Sequence, residues 1–216
     1  RAFHLPFQPM DQRMSHEQHG IRRVGHVKEV TSLSNPIIKD IKALSNKKDR
    51  DETKSFMAEG LKLVIDAHEL GFEIKTLVYA KNVKDKPQVV QCATKTVARG
   101  GLVLEVSEKV LASITRRDNP QMVVGIFTQR WTSLRDLRPG NGETYVALDR
   151  VRDPGNLGTV LRTVDAVGAK GVILVGDTTD PFSLETVRAT MGSIFAVPVA
   201  RASQEAFLAW RKGFSG

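Results

Sequence analysis

Residues 145–175 read YVALDRVRDPGNLGTVLRTVDAVGAKGVILV. The stretch opens with an apolar run, Tyr145-Val146-Ala147-Leu148, and closes with another, Val172-Ile173-Leu174-Val175. Between them come a polar loop over residues 149–158 and a helical pattern carrying Val160, Leu161, Val164 and Val167. Gly168 stops that pattern. Strand, loop, helix, glycine stop and strand form a βαβ unit. Continuous apolar runs are expected where parallel strands are covered on both faces, so the fold class is α/β.

The loop is the natural place for chemistry, because ligands of open α/β sheets sit beyond the carboxyl ends of the strands. Gly155 and Gly158 permit close backbone approach, and the helix start offers unpaired N–H groups. Asn156 either caps the helix or orients a ligand. Arg162, about one turn in, either points into solvent or reaches back over the loop. No P-loop lysine follows and the full dinucleotide fingerprint is absent, which weakens a reading of the loop as a nucleotide-phosphate site.

DRVRDPGNLGTVLRTVDAVGAKGVILVG, residues 149–176, and DPFSLETVRATMGSIFAVPVAR, residues 180–201, resemble the SpoU/TrmH family of RNA ribose 2′-O-methyltransferases. In that family an Asn, and an Arg six residues on, precede a small-residue helix. Here they are Asn156 and Arg162, followed by Asp165-Ala166. The resemblance implies a parallel-sheet SPOUT domain of the knotted type. It also implies transfer of a methyl group from S-adenosylmethionine to a ribose 2′-hydroxyl, with no metal, and with ribosomal RNA preferred over transfer RNA as substrate. It casts Asn156 and Arg162 as catalytic residues and brings Arg152, Arg188 and Ser193 to the RNA-binding cleft. A homodimer in the cytoplasm, away from membranes, is expected from the same resemblance. An arginine is a poor general base because its pKa exceeds about 12, so Arg162 is read as an electrostatic stabiliser of the developing oxyanion.

The chain has 216 residues, 41% hydrophobic and 26% charged, ordinary values for a globular protein. No run approaches the roughly 20 apolar residues of a membrane span, and no signal-peptide core is visible. Cys92 stands alone, which excludes an internal disulfide, and no Cys/His cluster has zinc spacing. The net charge is +8. Residues 142–216 carry 8 basic and 8 acidic side chains, so the whole excess lies in residues 1–141, with 24 basic and 16 acidic. That asymmetry points the first part of the chain toward a polyanion.

Residues 1–27 read as a disordered tail rich in His, Gln, Arg and Gly, with Arg22, Arg23 and Lys28 as a possible basic arm. A helix is expected after the Asn35 cap and Pro36, with Ile37, Ile38, Ile41 and Leu44 as its apolar stripe. Residues 46–52, mixed in charge, read as a solvated loop. Residues 56–58, 74–79, 102–106 and 123–127 read as strands. Helices are expected after Gly60, over residues 89–98 and after Ser107. The helix after Gly60 is assigned Leu61, Val64, Ile65 and Leu70 as its buried side, and Glu59-Gly60 is read as a turn. Residues 28–130 therefore form a compact α/β domain. FMAEGLKLV, residues 56–64, and ITRRDNPQMVVGIF, residues 114–127, are similar to the L30e-like substrate-binding domain that precedes the catalytic domain in many SpoU/TrmH proteins. The resemblance offers Arg116, Arg117 and Asn119 as RNA contacts. Residues 131–143, with Pro139-Gly140-Asn141-Gly142, read as a linker.

Residues 144–216 hold the βαβ unit, a helix capped by Ser183, a third strand expected over residues 194–199, and a last helix capped by Ser203. The family's later Gly-x-Glu-x-x-Gly and Ser-Leu-Asn motifs, which complete the knot and the cofactor pocket, do not occur. The second domain is therefore expected to be cut short, with its cofactor-binding residues unknown. A non-catalytic RNA-binding module is the alternative reading.

Overall fold

The computed structural model describes residues 25–140 and 142–214. Residues 1–24, which include Arg22, Arg23 and most of the expected tail, lie outside the described residues, as do Asn141 and residues 215–216.

Among the described residues the strands form two sheets. The first runs β1 (His26–Val30), β4 (Leu102–Val106), β3 (Ile74–Ala80), β5 (Val123–Thr128), β2 (Ser55–Glu59). Its β1–β4–β3 side is parallel, and β5 pairs antiparallel with both β3 and β2. The second sheet, β6 (Tyr145–Asp149), β7 (Gly171–Val175) and β8 (Val199–Ala202), is all parallel. The α/β class is therefore present.

Local chemistry explains most of the helices. Asn35 Oδ1 accepts the Ile37 N–H at 2.9 Å and Pro36 takes the first position of α1 (Pro36–Ala43). Ser107 caps α5 (Glu108–Thr115), Ser183 caps α7 (Leu184–Thr190), and Ser203 caps α9 (Gln204–Arg211). α3 (Leu61–Glu69) starts at Gly60, whose φ of +115° is left-handed territory, and α4 (Pro87–Ala98) opens on a proline. The inner faces of the second sheet follow period-two logic. Val172 and Leu174 face the main core, while Ile173 and Val175 face a smaller one with Leu137 and Ala200.

Several expectations are corrected. His26 and Val27, assigned to the tail, belong to β1. That edge strand is exposed except at Val30, so its sequence lacks an apolar face. Residues 46–52 are not a loop: α2 (Lys47–Thr53) occupies them, and its Arg50 is buried. Leu70 is exposed rather than core. β6 is an edge strand, half-open to solvent, unlike the fully buried β7. Residues 194–196 form a helical turn, α8 (Ser193–Ala196), and the third strand starts only at Val199. The linker is partly built in. Trp131 packs on the main core, the Thr132 N–H donates to Val199 O at 2.9 Å, and Trp210 Nε1 donates to Leu137 O at 3.0 Å.

The two sheets share one core. Phe182 and Phe195 of the second half reach the Phe56 ring at centroid distances of 4.9 and 5.8 Å, and Phe195 meets Phe127 and Phe72 at 4.9 Å each. Beside this cluster, the Arg50 guanidinium donates through Nε to Asp180 Oδ2 at 2.9 Å and through Nη1 to Leu44 O and Ser45 O at 2.8 and 2.9 Å. Removing one partner of such a buried pair leaves a charge uncompensated. Arg50→Ala should therefore cost about 3–5 kcal/mol, read from the urea midpoint, and adding Asp180→Asn should restore part of the loss. Equal stability of the wild type and Arg50→Ala would remove the pair from the forces that join the halves.

Candidate active site

The helix after β6 begins earlier than its sequence pattern indicates. α6 spans Pro154–Ala166, capped by Asp153, whose Oδ1 accepts the Asn156 N–H at 2.6 Å. The cap is thus Asp153, not Asn156, and Asn156 is the third helical residue with an exposed side chain. Arg162 lies more than two turns in rather than one. Six residues of helix separate the two by about 9 Å along the axis, and no hydrogen bond joins them. Gly158 serves packing, not ligand approach: it is buried inside α6 against Ala189 of α7.

Arg162 lines an open groove with Thr159, Thr163 and Asp165 of α6 and with Met191 and Ser193 beyond α7. Its guanidinium is exposed and has no hydrogen-bond or ion-pair partner among the described residues. Ser193, 8% exposed, donates through Oγ to Asp165 Oδ2 at 2.7 Å, tying α8 to α6 across the groove floor. The turn that brings Ser193 there is left-handed at Met191, φ +51°, and at Gly192, φ +105°. The structure therefore unites Arg162 and Ser193 and adds Asp165, which sequence reasoning had noted only as part of a small-residue helix. Its three-residue offset from Arg162 was the available signal.

The other sequence-selected residues lie elsewhere. Arg188 donates through Nε to Glu59 Oε1 at 3.0 Å and through Nη2 to the same oxygen and to Thr115 O, the latter at 2.6 Å. Arg117 Nε stands 3.8 Å from Glu59 Oε2. Arg116, left-handed at φ +55°, donates through Nη2 to Ser45 Oγ at 2.7 Å, and Asn119 is exposed on the same loop. Arg152 pairs with Asp177 at 2.7 Å, linking the loops that follow β6 and β7. Next to it, Arg150 holds both oxygens of Asp149, and that guanidinium lowers the Asp149 carboxyl below the usual carboxylate range.

No group of three or more His, Cys, Asp or Glu among the described residues is arranged to hold a metal ion. Cys92 is core, with burial pushing its thiol pKa up. The cavity beside α9, about 650 Å³, is walled by Tyr145, Ala147, Ile173, Phe207 and Trp210, with the charged Glu143 and Arg211 also among its lining residues.

Two family models match the chain. Residues 35–125 match the MRM3-like substrate binding domain, and residues 143–213 match the SpoU rRNA Methylase family. An rRNA methyltransferase from Sinorhizobium meliloti is 73% identical, with a TM-score of 0.82, over 86% of this chain and 69% of that one. The chain belongs to the SpoU/TrmH family of RNA methyltransferases. The same S. meliloti protein has also been solved with AdoMet bound. The SpoU methyltransferase AviRb of Streptomyces viridochromogenes aligns at 25% identity and a TM-score of 0.71, over 83% of this chain and 66% of its own. The Bacillus subtilis 23S rRNA (guanosine(2553)-2'-O)-methyltransferase RlmP is 32% identical over 81% of this chain and 65% of its own length. The chain thus spans less than two thirds of this curated SpoU/TrmH relative.

Within this family member the spacing of α6 and α7 sets the groove. A Cβ on Gly158 would lie 2.9 Å from the Ala189 carbonyl carbon and 3.1 Å from its Cα. Gly158→Val should therefore push the helices apart and destabilise the chain by about 1–3 kcal/mol, measurable by chemical denaturation. An unchanged midpoint would show that the helices separate freely.

Proposed function

We propose that this chain carries the RNA-binding domain and the acceptor side of the catalytic domain of an enzyme that methylates a ribose 2′-hydroxyl, with S-adenosylmethionine as donor and ribosomal RNA as substrate. Residues 28–130 would bind RNA, 131–143 would connect, and 144–216 would contribute the groove. The carrying observation is Arg162: an exposed guanidinium without a protein partner among the described residues, beside the Ser193–Asp165 bond.

The donor, when bound, supplies an electrophilic methyl group. The work of this chain is on the acceptor. Arg162 offers five N–H donors in a fixed fork, suited to a ribose oxygen that gains negative charge as it attacks, or to the adjacent phosphate. Asp165 and Ser193 hold the groove floor rigid, so the hydroxyl meets a preset arrangement. Asn156, exposed near the start of α6, would contact the sugar or its neighbour rather than Arg162. Arg116, Asn119 and Arg152 would meet phosphates, which position RNA without reading its sequence, and Arg117 would contact RNA beside them. The positive excess confined to residues 1–141 supports this division. A cytoplasmic location belongs to the same reading, since that is where ribosomal RNA would be met. Among the described residues no helix is long and apolar enough to cross a membrane.

The groove face also supports a homodimer. Val167, 71% exposed, follows α6, and Met191, 69% exposed, lines the groove. A second copy seated there would cover both side chains and close the site around Arg162.

Two measurements test the proposal. Arg162→Ala in the complete enzyme should lower methylation of ribosomal RNA by at least about 10²-fold while leaving calorimetric S-adenosylmethionine affinity near wild type; retained turnover refutes the role. Val167→Asp should shift the mass determined by light scattering from dimer to monomer, and an unmoved mass would place the interface elsewhere.

A further inference from the structure

Glu59 closes β2 at the seam between the halves, and its side chain is only 3% exposed. Arg188 occupies Oε1. Oε2 is buried and accepts no hydrogen bond, since Arg117 Nε at 3.8 Å is too distant to donate. A latch between two halves needs only the first oxygen. The second is a buried acceptor left without a donor, which is rare and costly.

That carboxylate borders a cavity of about 470 Å³, within the range of small-molecule sites. Met57 and Leu61 line it from the first half, and Leu184 and Val187 from α7. Lys62, Arg117 and Gln121, all exposed, stand among its lining residues. Apolar walls, one buried acceptor and a cationic rim match a flat ring that carries an N–H edge and hangs from a phosphate backbone. Met191 lines both this cavity and the Arg162 groove, so the two are neighbours on this face. The next step rests on the RNA-binding reading above.

We propose that the seam cavity is a nucleobase subsite, in which Glu59 Oε2 accepts an N–H from the exocyclic amino group of an unpaired RNA base. Arg117, 42% exposed, swings off the oxygen to admit the base and stacks on its face. Cytosine, adenine and guanine each carry an amino group at the required edge. Uracil has a single N–H flanked by two carbonyl oxygens, which the carboxylate repels. The subsite therefore favours amino-bearing bases over uracil.

The test compares labelled pentacytidylate and pentauridylate, which differ only at that edge, by fluorescence anisotropy on the 216-residue chain at fixed salt. Pentacytidylate should bind at least about tenfold tighter, the scale of one hydrogen bond to a charged group. A pentamer of N4,N4-dimethylcytidine, which lacks the donor, should bind like pentauridylate. Glu59→Gln should bring the cytosine-to-uracil ratio close to one, because an amide can both donate and accept. Should that variant fail to fold, the dimethylated pentamer decides the matter on unaltered protein. Equal, salt-dependent binding of all three pentamers overturns the subsite and leaves the RNA-binding reading standing. Absence of salt-dependent binding to any RNA overturns both.

Discussion

The contact on which the rest depends is the insertion of Phe182 and Phe195 into the face of the first sheet around Phe56 and Phe127. Fully burying one such ring is worth about 1.5–3 kcal/mol, and each well-placed aromatic pair adds about 0.5–1.5. The cluster joins what would otherwise be two small cores into one. Trp131 extends it by stacking edge-on to Phe182, which fixes the segment connecting the halves. The flanking ion pairs contribute orientation more than net energy, since desolvation offsets most of their attraction.

Orientation matters because α7 belongs to both sites. Its buried side, Thr186, Val187 and Thr190, packs inward, while Arg188 reaches back to Glu59. Its end passes through the left-handed residues Met191 and Gly192, and that turn delivers Ser193 to Asp165. Gly158 lets α6 come close enough for the bond to form. A shift of the first sheet relative to the second would therefore move the groove floor and the seam cavity together.

Much of this was legible in the sequence, and what was missed shares one physical cause. Asn35, Ser107, Ser183 and Ser203 cap the helices assigned to them, because capping is local chemistry. β7 was plain from VILV, buried on both sides. By contrast, α2 has no apolar stripe; its place is set by Arg50, whose partner Asp180 is 130 residues away. The pattern of residues 194–199 is β-rich, yet tertiary packing of Ile194 and Phe195 winds its first part into α8. At the site, Arg162 and Ser193 were chosen and lie in one groove. Asn156 was linked to Arg162 by a six-residue spacing that a helix starting at Pro154 spreads apart. Glu59 gave no signal, since a carboxylate before a glycine reads as a turn until Arg188 is placed beside it.

The seam also determines what becomes of the charge. Arg50 of the first half is neutralised by Asp180 of the second, and Arg188 of the second by Glu59 of the first. The exchange is reciprocal: each half surrenders one base and one acid. The excess of eight positive charges in residues 1–141 is therefore not consumed by joining the halves. It remains available to a polyanion, and contacts of that kind weaken as salt rises. Buried pairs are screened far less than exposed ones, and an aromatic cluster is not screened at all. Ionic strength should thus act on any polyanion contact and leave the packing of the halves intact, which separates binding from folding in the same molecule.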